Sequence, residues 1–223
     1  MPRVVIFANG VLPNLESAKK LLRPDDFLLG VDGGARLIMG LDLMPNLVMG
    51  DLDSLSEDDL YDLGAADIPT NQYPTDKDET DLELAIKYAI QLLPGSILIV
   101  AALGGRLDQT LANISLLADL LLSHIDIRLD DGVEEVFFCR DSAQVNGNIG
   151  DTVSLIPWNV DVNGVVTTGL KWILDRETLF PYKTRGISNE MIDETATIKI
   201  QSGLLLIVHR RKSVISNSQQ ELP

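Results

Sequence analysis

Two aspartates, Asp51 and Asp53, stand one residue apart in MGDLDSL (49–55). An apolar run, NLVMG, leads into them. If that run continued as a strand, its alternation would put both carboxylates on one face. Like charges held side by side repel, so a divalent cation is a natural occupant, and an acidic surface turn is the competing reading. An EF-hand loop is excluded, because its sixth position would be Ser56 in place of glycine and its twelfth Asp62 in place of glutamate.

Two further stretches could do related chemistry. In LGGRLDQTLAN (103–113) an apolar run ends in a glycine pair, an arginine and the start of a helical pattern. Free backbone N–H groups at such a turn cradle anions, and the guanidinium of Arg106 suits phosphate oxygens. The lysine and hydroxyl of a Walker A loop are missing, as is the G-x-G-x-x-G spacing. In PTDKDETDLELA (74–85), Asp78, Thr80 and Asp81 fall where a helix should begin. Capping by Asp78 or Thr80 explains them locally, and Asp81 suits the helix dipole. Capping does not exclude a ligand, since a helix start at a sheet rim points its first turn outward. A phosphate-binding turn beside several aspartates points to a Mg²⁺–nucleotide site, Mg²⁺ taking one or two carboxylates plus phosphate and water.

The elements needed to bring these stretches together can be read from the pattern. VVIFANG, FLLGVDGG, NLVMGDLDS and SILIVAALGG are short apolar runs ending in glycine or aspartate. Between them lie helical periods, with Leu82, Ile86, Ala89, Ile90 and Leu93 in one and Leu107, Leu111, Ile114, Leu117 and Leu121 in the next. This alternation predicts an α/β fold with an open, mostly parallel sheet and flanking helices. Ligands of such sheets sit beyond the carboxyl ends of the strands, where Asp32, Asp51, Asp53 and Gly104–Arg106 all fall. After about residue 130 the segments are short, rich in Val, Ile and Thr, and separated by Gly, Asn and Asp. They predict a small antiparallel β-sandwich. The expected division is residues 1–132 for an α/β domain and 133–223 for the sandwich, with a polar tail at SVISNSQQELP.

Composition narrows the function classes. The 223 residues carry a net charge of -15, which excludes the basic surface of a nucleic-acid binder. From Asp25 to Glu83 the only basic residues are Arg36 and Lys77. A single cysteine, Cys139, excludes an internal disulfide and fits a reducing compartment. No apolar run approaches the roughly 20 residues of a membrane span, and MPRVVIFANG breaks too early for a secretory signal. The expectation is a cytoplasmic protein without nucleic-acid or membrane partners.

Six motifs, GVDGGA (30–35), GDLDS (50–54), KDETDLELA (77–85), GGRLDQTLAN (104–113), GLKWIL (169–174) and GISNE (186–190), stand in an order that resembles the thiamin pyrophosphokinase family. The resemblance covers residues 30 to 210. It implies an α/β domain that holds ATP and Mg²⁺ and a β-sandwich that holds thiamin. It also implies a homodimer with active sites between subunits. The reaction implied is transfer of the β,γ-diphosphoryl group of ATP to the thiamin hydroxyl, giving thiamin diphosphate and AMP. Carried over by motif, Asp51 and Asp53 bind Mg²⁺, and Asp81 completes that site or meets the substrate hydroxyl beside Thr80. Asp32, Gly104, Gly105, Arg106, Asp108 and Asn113 stand where the family holds ATP. Trp172 would stack on thiamin, with Ser188 and Asn189 as hydrogen-bonding partners. Without the resemblance, Trp172 reads as a core aromatic and Ser188–Asn189 as a turn. The sequence departs from the family at Gln109, where a histidine is frequent; glutamine can hydrogen-bond but cannot carry a proton. Two other readings compete: an Asp-x-Asp nucleotide-sugar transferase, and a non-enzymatic thiamin or nucleotide sensor.

Overall fold

A computed structural model describes residues 2–212, and the polar stretch at 213–223 lies outside the described residues. The chain forms two compact units, Met1–Phe138 and Cys139–Pro223.

The first unit runs β1 (Arg3–Phe7), α1 (Leu15–Lys19), β2 (Phe27–Val31), α2 (Gly34–Met39), β3 (Leu47–Gly50), α3 (Glu57–Ala65), β4 (Thr70–Gln72), α4 (Asp81–Gln91), β5 (Ser96–Val100), α5 (Leu107–Leu116), β6 (Asp126–Asp130) and β7 (Glu134–Cys139). Its strands lie in the order β7-β6-β5-β1-β2-β3-β4. All neighbours pair in parallel except β6 and β7, which are antiparallel through Leu129–Val136 and Asp130–Glu135. The central strands are apolar throughout, as strands covered on both faces must be. Val4 to Phe7 have no exposed surface. Val5, Phe7, Leu28, Ile38, Leu98 and Val100 share one core, and Ala35, Val48, Leu55 and Leu63 pack in another.

Helix starts follow local chemistry. Ser56 and Asp59 form a reciprocal capping box at α3. Thr80 caps α4, its hydroxyl accepting the Glu83 N–H at 3.2 Å. The predicted stripe of the last helix is corrected by the structure. α5 ends at Leu116, and Asp119 caps a separate 3-10 turn at Leu120–Leu122. That break rotates Leu121 off the helical face. Ile114 and Leu117 are buried, whereas Leu107, Leu111 and Leu121 are exposed.

The second unit contains β8 (Ser142–Asn146), β9 (Thr152–Pro157), β10 (Val162–Thr168), β11 (Glu177–Leu179), β12 (Asn189–Glu190), β13 (Thr195–Lys199) and β14 (Leu205–Arg210). They pair antiparallel in two groups, β12-β9-β14 and β11-β10-β13-β8. Alternate residues are buried, Val153, Leu155 and Pro157 in β9 and Ala196 and Ile198 in β13, as the sequence alternation predicts. His209 and Asp151 are fully buried together, 3.0 Å apart. Burial alone would raise the Asp151 carboxyl. The N–H groups of Asn148 and Lys212 and the His209 ring outweigh it and hold the carboxyl below its ordinary range.

Candidate active site

Parallel pairing brings the carboxyl ends of β1, β2, β3 and β5 to one rim of the first unit. A cleft of about 600 Å³ opens there. Asn9 and Gly10 after β1, Asp32 after β2, Gly104 and Gly105 after β5, Thr80 and Asp81 at the start of α4, and Arg106, Gln109 and Asn113 of the α5 region all line it.

Asp32 is the hinge of this arrangement. It has a left-handed backbone, φ 48°, which aspartate tolerates better than most residues. Its Oδ1 lies so near Gly50 that a Cβ at position 50 would sit 1.7 Å away. Gly50 is thus required both by this approach and by its own φ of 139°. Burial pushes the Asp32 carboxyl up to about 6, and the negative charges of Asp81, Asp51 and Asp53 push the same way, against a hydrogen bond from the Leu52 N–H. The aspartates of three separate motifs therefore share one field.

Asp51 and Asp53 do not lie on a strand. β3 ends at Gly50, and Leu52 turns left-handed at φ 66°. The pair sits in a tight turn in which Asp51 Oδ1 accepts the Asp53 N–H at 3.1 Å. The expected alternation on one face is replaced by a turn just beyond the strand end. Neither residue lines the cleft, which they border through Asp32. Asp81 lines it directly; its Oδ1 is inaccessible to solvent and accepts no hydrogen bond, although Lys77 Nζ stands 3.0 Å away at an ionic contact.

The opposite wall is the glycine turn. Gly104 and Gly105 have φ of 78° and 75°, and open space surrounds the first, so backbone conformation alone selects glycine there. Arg106 stands at the capping position before α5 and makes no side-chain cap. Of the helix's first N–H groups, those of Asp108 and Gln109 lie against the Asp108 carboxylate, whose place a bound anion would take. Arg106 is exposed and forked onto Asp108, with Nε–Oδ1 of 3.1 Å and Nη2–Oδ2 of 2.5 Å. Hydrogen bonding to Arg106 holds the Asp108 carboxyl below its ordinary range. Asn113 lines the cleft while its Nδ2 donates to Ala102 O at 2.9 Å, fixing the helix to the end of β5.

Among the described residues, no three His, Cys, Asp or Glu side chains are grouped as ligands of one ion. A Mg²⁺ ion needs fewer protein ligands than that when phosphate and water supply the rest. The mutual repulsion felt at Asp32, with Asp81 on the cleft wall beside it, fits a site that receives a cation. Sequence reasoning missed Asn9. Its Nδ2 donates to Ser54 Oγ at 3.0 Å, and Ser54 Oγ donates to Asp53 Oδ1 at 3.2 Å. The asparagine following an apolar run was the available signal.

In the second unit Trp172 is 50% exposed, so it is no core aromatic. Asn189 is 3% exposed and its amide is committed to Trp172: Oδ1 accepts the Trp172 N–H at 3.0 Å, and Nδ2 donates to the Trp172 carbonyl at 2.7 Å. Ser188 is exposed, left-handed at φ 56°, and donates its N–H to Ser154 Oγ. Lys171 Nζ lies 5.0 Å from the Trp172 ring centre, so the ring already faces a cation.

Comparison with known proteins agrees with both units. Residues 18–152 match the thiamin pyrophosphokinase catalytic domain, and residues 142–205 match the thiamin pyrophosphokinase vitamin B1 binding domain. The thiamine pyrophosphokinase of Bacillus subtilis is 30% identical over 182 residues, 81% of this chain and 85% of that protein. Thiamine pyrophosphokinase 1 of Oryza sativa is 28% identical over 180 residues, 75% of this chain and 67% of its own length. The crystal structure of the Bacillus subtilis enzyme superposes with a TM-score of 0.86 at 27% identity, covering 95% of this chain and 100% of that one. The Geobacillus thermodenitrificans structure gives 0.81 at 26%, covering 96% and 99%. The chain belongs to the thiamin pyrophosphokinase family.

Proposed function

We propose that the first unit binds ATP with Mg²⁺ and that the chain transfers the β,γ-diphosphoryl group to the hydroxyl of thiamin. The thiamin oxygen attacks the β-phosphorus. The bond from that phosphorus to the α,β-bridging oxygen breaks, and AMP leaves with the oxygen. Phosphoryl-type transfer asks the protein mainly to align the reactants and neutralise charge. Gly104, Gly105 and the uncapped start of α5 hold phosphate oxygens, and Arg106 exchanges Asp108 for phosphate. Asp32 and Asn113 border the nucleotide. Asp51 and Asp53, with Asp81, would hold Mg²⁺, which when bound supplies Lewis-acid neutralisation of the phosphates. Asp81, beside Thr80, orients the thiamin hydroxyl and accepts its proton.

Trp172 stacks on the vitamin, Asn189 serves by holding Trp172 in place, and Ser188 offers its hydroxyl. The exposed Leu107, Leu111, Leu120 and Leu121 support a homodimer, with active sites between subunits. No helix among the described residues is long and apolar enough to cross a membrane, and the acidic balance argues against nucleic acid; we assign the protein to the cytoplasm.

The observation that carries this reading is the convergence of Asp32, Asp81, Gly104, Gly105 and Arg106 on one cleft in a chain of this family. The test is a product assay with ATP, Mg²⁺ and thiamin. Equimolar AMP and thiamin diphosphate are expected. ADP with thiamin monophosphate would mean a different bond is broken. Thiamin binding without turnover would leave a sensor, and release of a nucleoside diphosphate from a nucleotide sugar would leave a sugar transferase.

A further inference from the structure

The acidic rim contains one cation whose position neither local structure nor the nucleotide cradle explains. Lys77 precedes α4, and its side chain is only 14% exposed. Its Nζ donates to Pro74 O at 2.8 Å and stands 3.0 Å from Asp81 Oδ1. A lysine beside a helix N-terminus opposes the helix dipole, so the placement does not serve α4. Holding a long side chain in one conformer and drying its ammonium are both unfavourable, and a nearby carboxylate must offset them. That carboxylate is Asp81, whose Oδ1 is closed to solvent and has the Lys77 ammonium as its ionic partner. The other cations of these elements are engaged elsewhere. Arg36 faces Asp59 at 3.9 Å, and Lys87 bridges Glu79 and Glu83. Asp81 is also the strongest charged neighbour acting on Asp32.

We propose that Lys77 is a positioning residue with two effects, an inference that rests on the reaction proposed above. It fixes Asp81 at the cleft wall, with one oxygen tied back and the carboxylate kept in the orientation the reaction uses. It also cancels part of the charge shared by Asp32, Asp51, Asp53 and Asp81. The rim without nucleotide then attracts free divalent cations weakly, and the metal is held chiefly in company with nucleotide phosphates.

The test uses the full-length protein and Mn²⁺ as probe, titrated calorimetrically without nucleotide. Removing one positive charge a few ångströms from clustered carboxylates should tighten Mn²⁺ binding by about threefold or more in Lys77→Met, with the difference shrinking as salt rises. The same variant should lose about tenfold or more in kcat with ATP, Mg²⁺ and thiamin. Lys77→Arg should keep both properties near those of the parent. Lys77→Gln, which retains a polar head, stands in if the methionine variant does not fold. Mn²⁺ affinity equal to or weaker than that of the parent would overturn the proposal, as would an unchanged kcat. A parent protein that makes no thiamin diphosphate would overturn the reaction reading instead, and the Mn²⁺ comparison would still decide the countercharge.

Discussion

The cleft of the first unit and the Trp172 loop of the second are built on opposite terms. In the cleft, like charges are brought together at a cost: Asp32 is pushed up by burial and by three other aspartates, and Lys77 offsets only part of that charge through Asp81. Around Trp172 the polar groups are closed on one another, with a buried asparagine spending its amide on the backbone of the exposed indole. The first arrangement is completed by what binds. The second is complete before anything binds. Charge developing in a phosphoryl transfer has to be met by ions and dipoles, whereas a flat aromatic ring needs only a rigid face.

The contrast can be broken most severely at the aspartate turn. Asp53→Asn should lower kcat about a thousandfold or more while the melting temperature stays near that of the parent, because the turn is held by backbone and Asp51 contacts. A near-normal rate at saturating Mg²⁺ would remove Asp53 from the site. Trp172→Ala should raise the KM for thiamin roughly tenfold to a hundredfold with little change in thermal stability, since half of the ring is already in water. An unchanged KM would return the indole to a packing role. Asn189→Ala should raise the same KM and also cost about 1–3 kcal/mol of stability, because the partly buried Trp172 backbone groups lose their hydrogen-bonding partner. Thermal melts at fixed pH separate that loss from the first variant.

The smallest effect has the opposite sign. An Asp32 carboxyl raised to about 6 in the folded protein stabilises the fold while protonated and loses that contribution as pH rises from about 4 through 6. Asp32→Asn should therefore melt higher than the parent at pH 7 to 8, by about 1 kcal/mol after solvent screening. The gain should vanish below pH 4, with turnover reduced throughout. Equal stability of the two proteins at pH 7.5 would show that the rim is not under electrostatic strain.

Much of this was legible before the structure. Apolar runs ending at glycine and aspartate marked the strands, and the geometry of open parallel sheets placed Asp32 and Gly104–Arg106 at one rim. Three features were hidden for physical reasons. The left-handed Leu52 that takes Asp51 and Asp53 off the strand is not signalled by its residue type, since leucine rarely adopts that conformation. The apolar period from Leu107 to Leu121 looks continuous, yet the helix stops at Leu116 and Leu121 falls on a separate 3-10 turn. Asn189 sits in a motif that reads as a surface turn, and only long-range contact with residue 172 reveals that its amide is already used.

The close approach of Asp32 to Gly50 also constrains how such a chain can vary. These positions lie on different strands' ends, yet a side chain at 50 would have to occupy the space of the Asp32 carboxylate. Position 50 cannot drift first: the lineage must keep glycine at 50 for as long as it keeps a working aspartate at 32. Among duplicated copies of the gene, loss of that glycine would mark the copy released from selection for catalysis, even where every acidic residue is still spelled out.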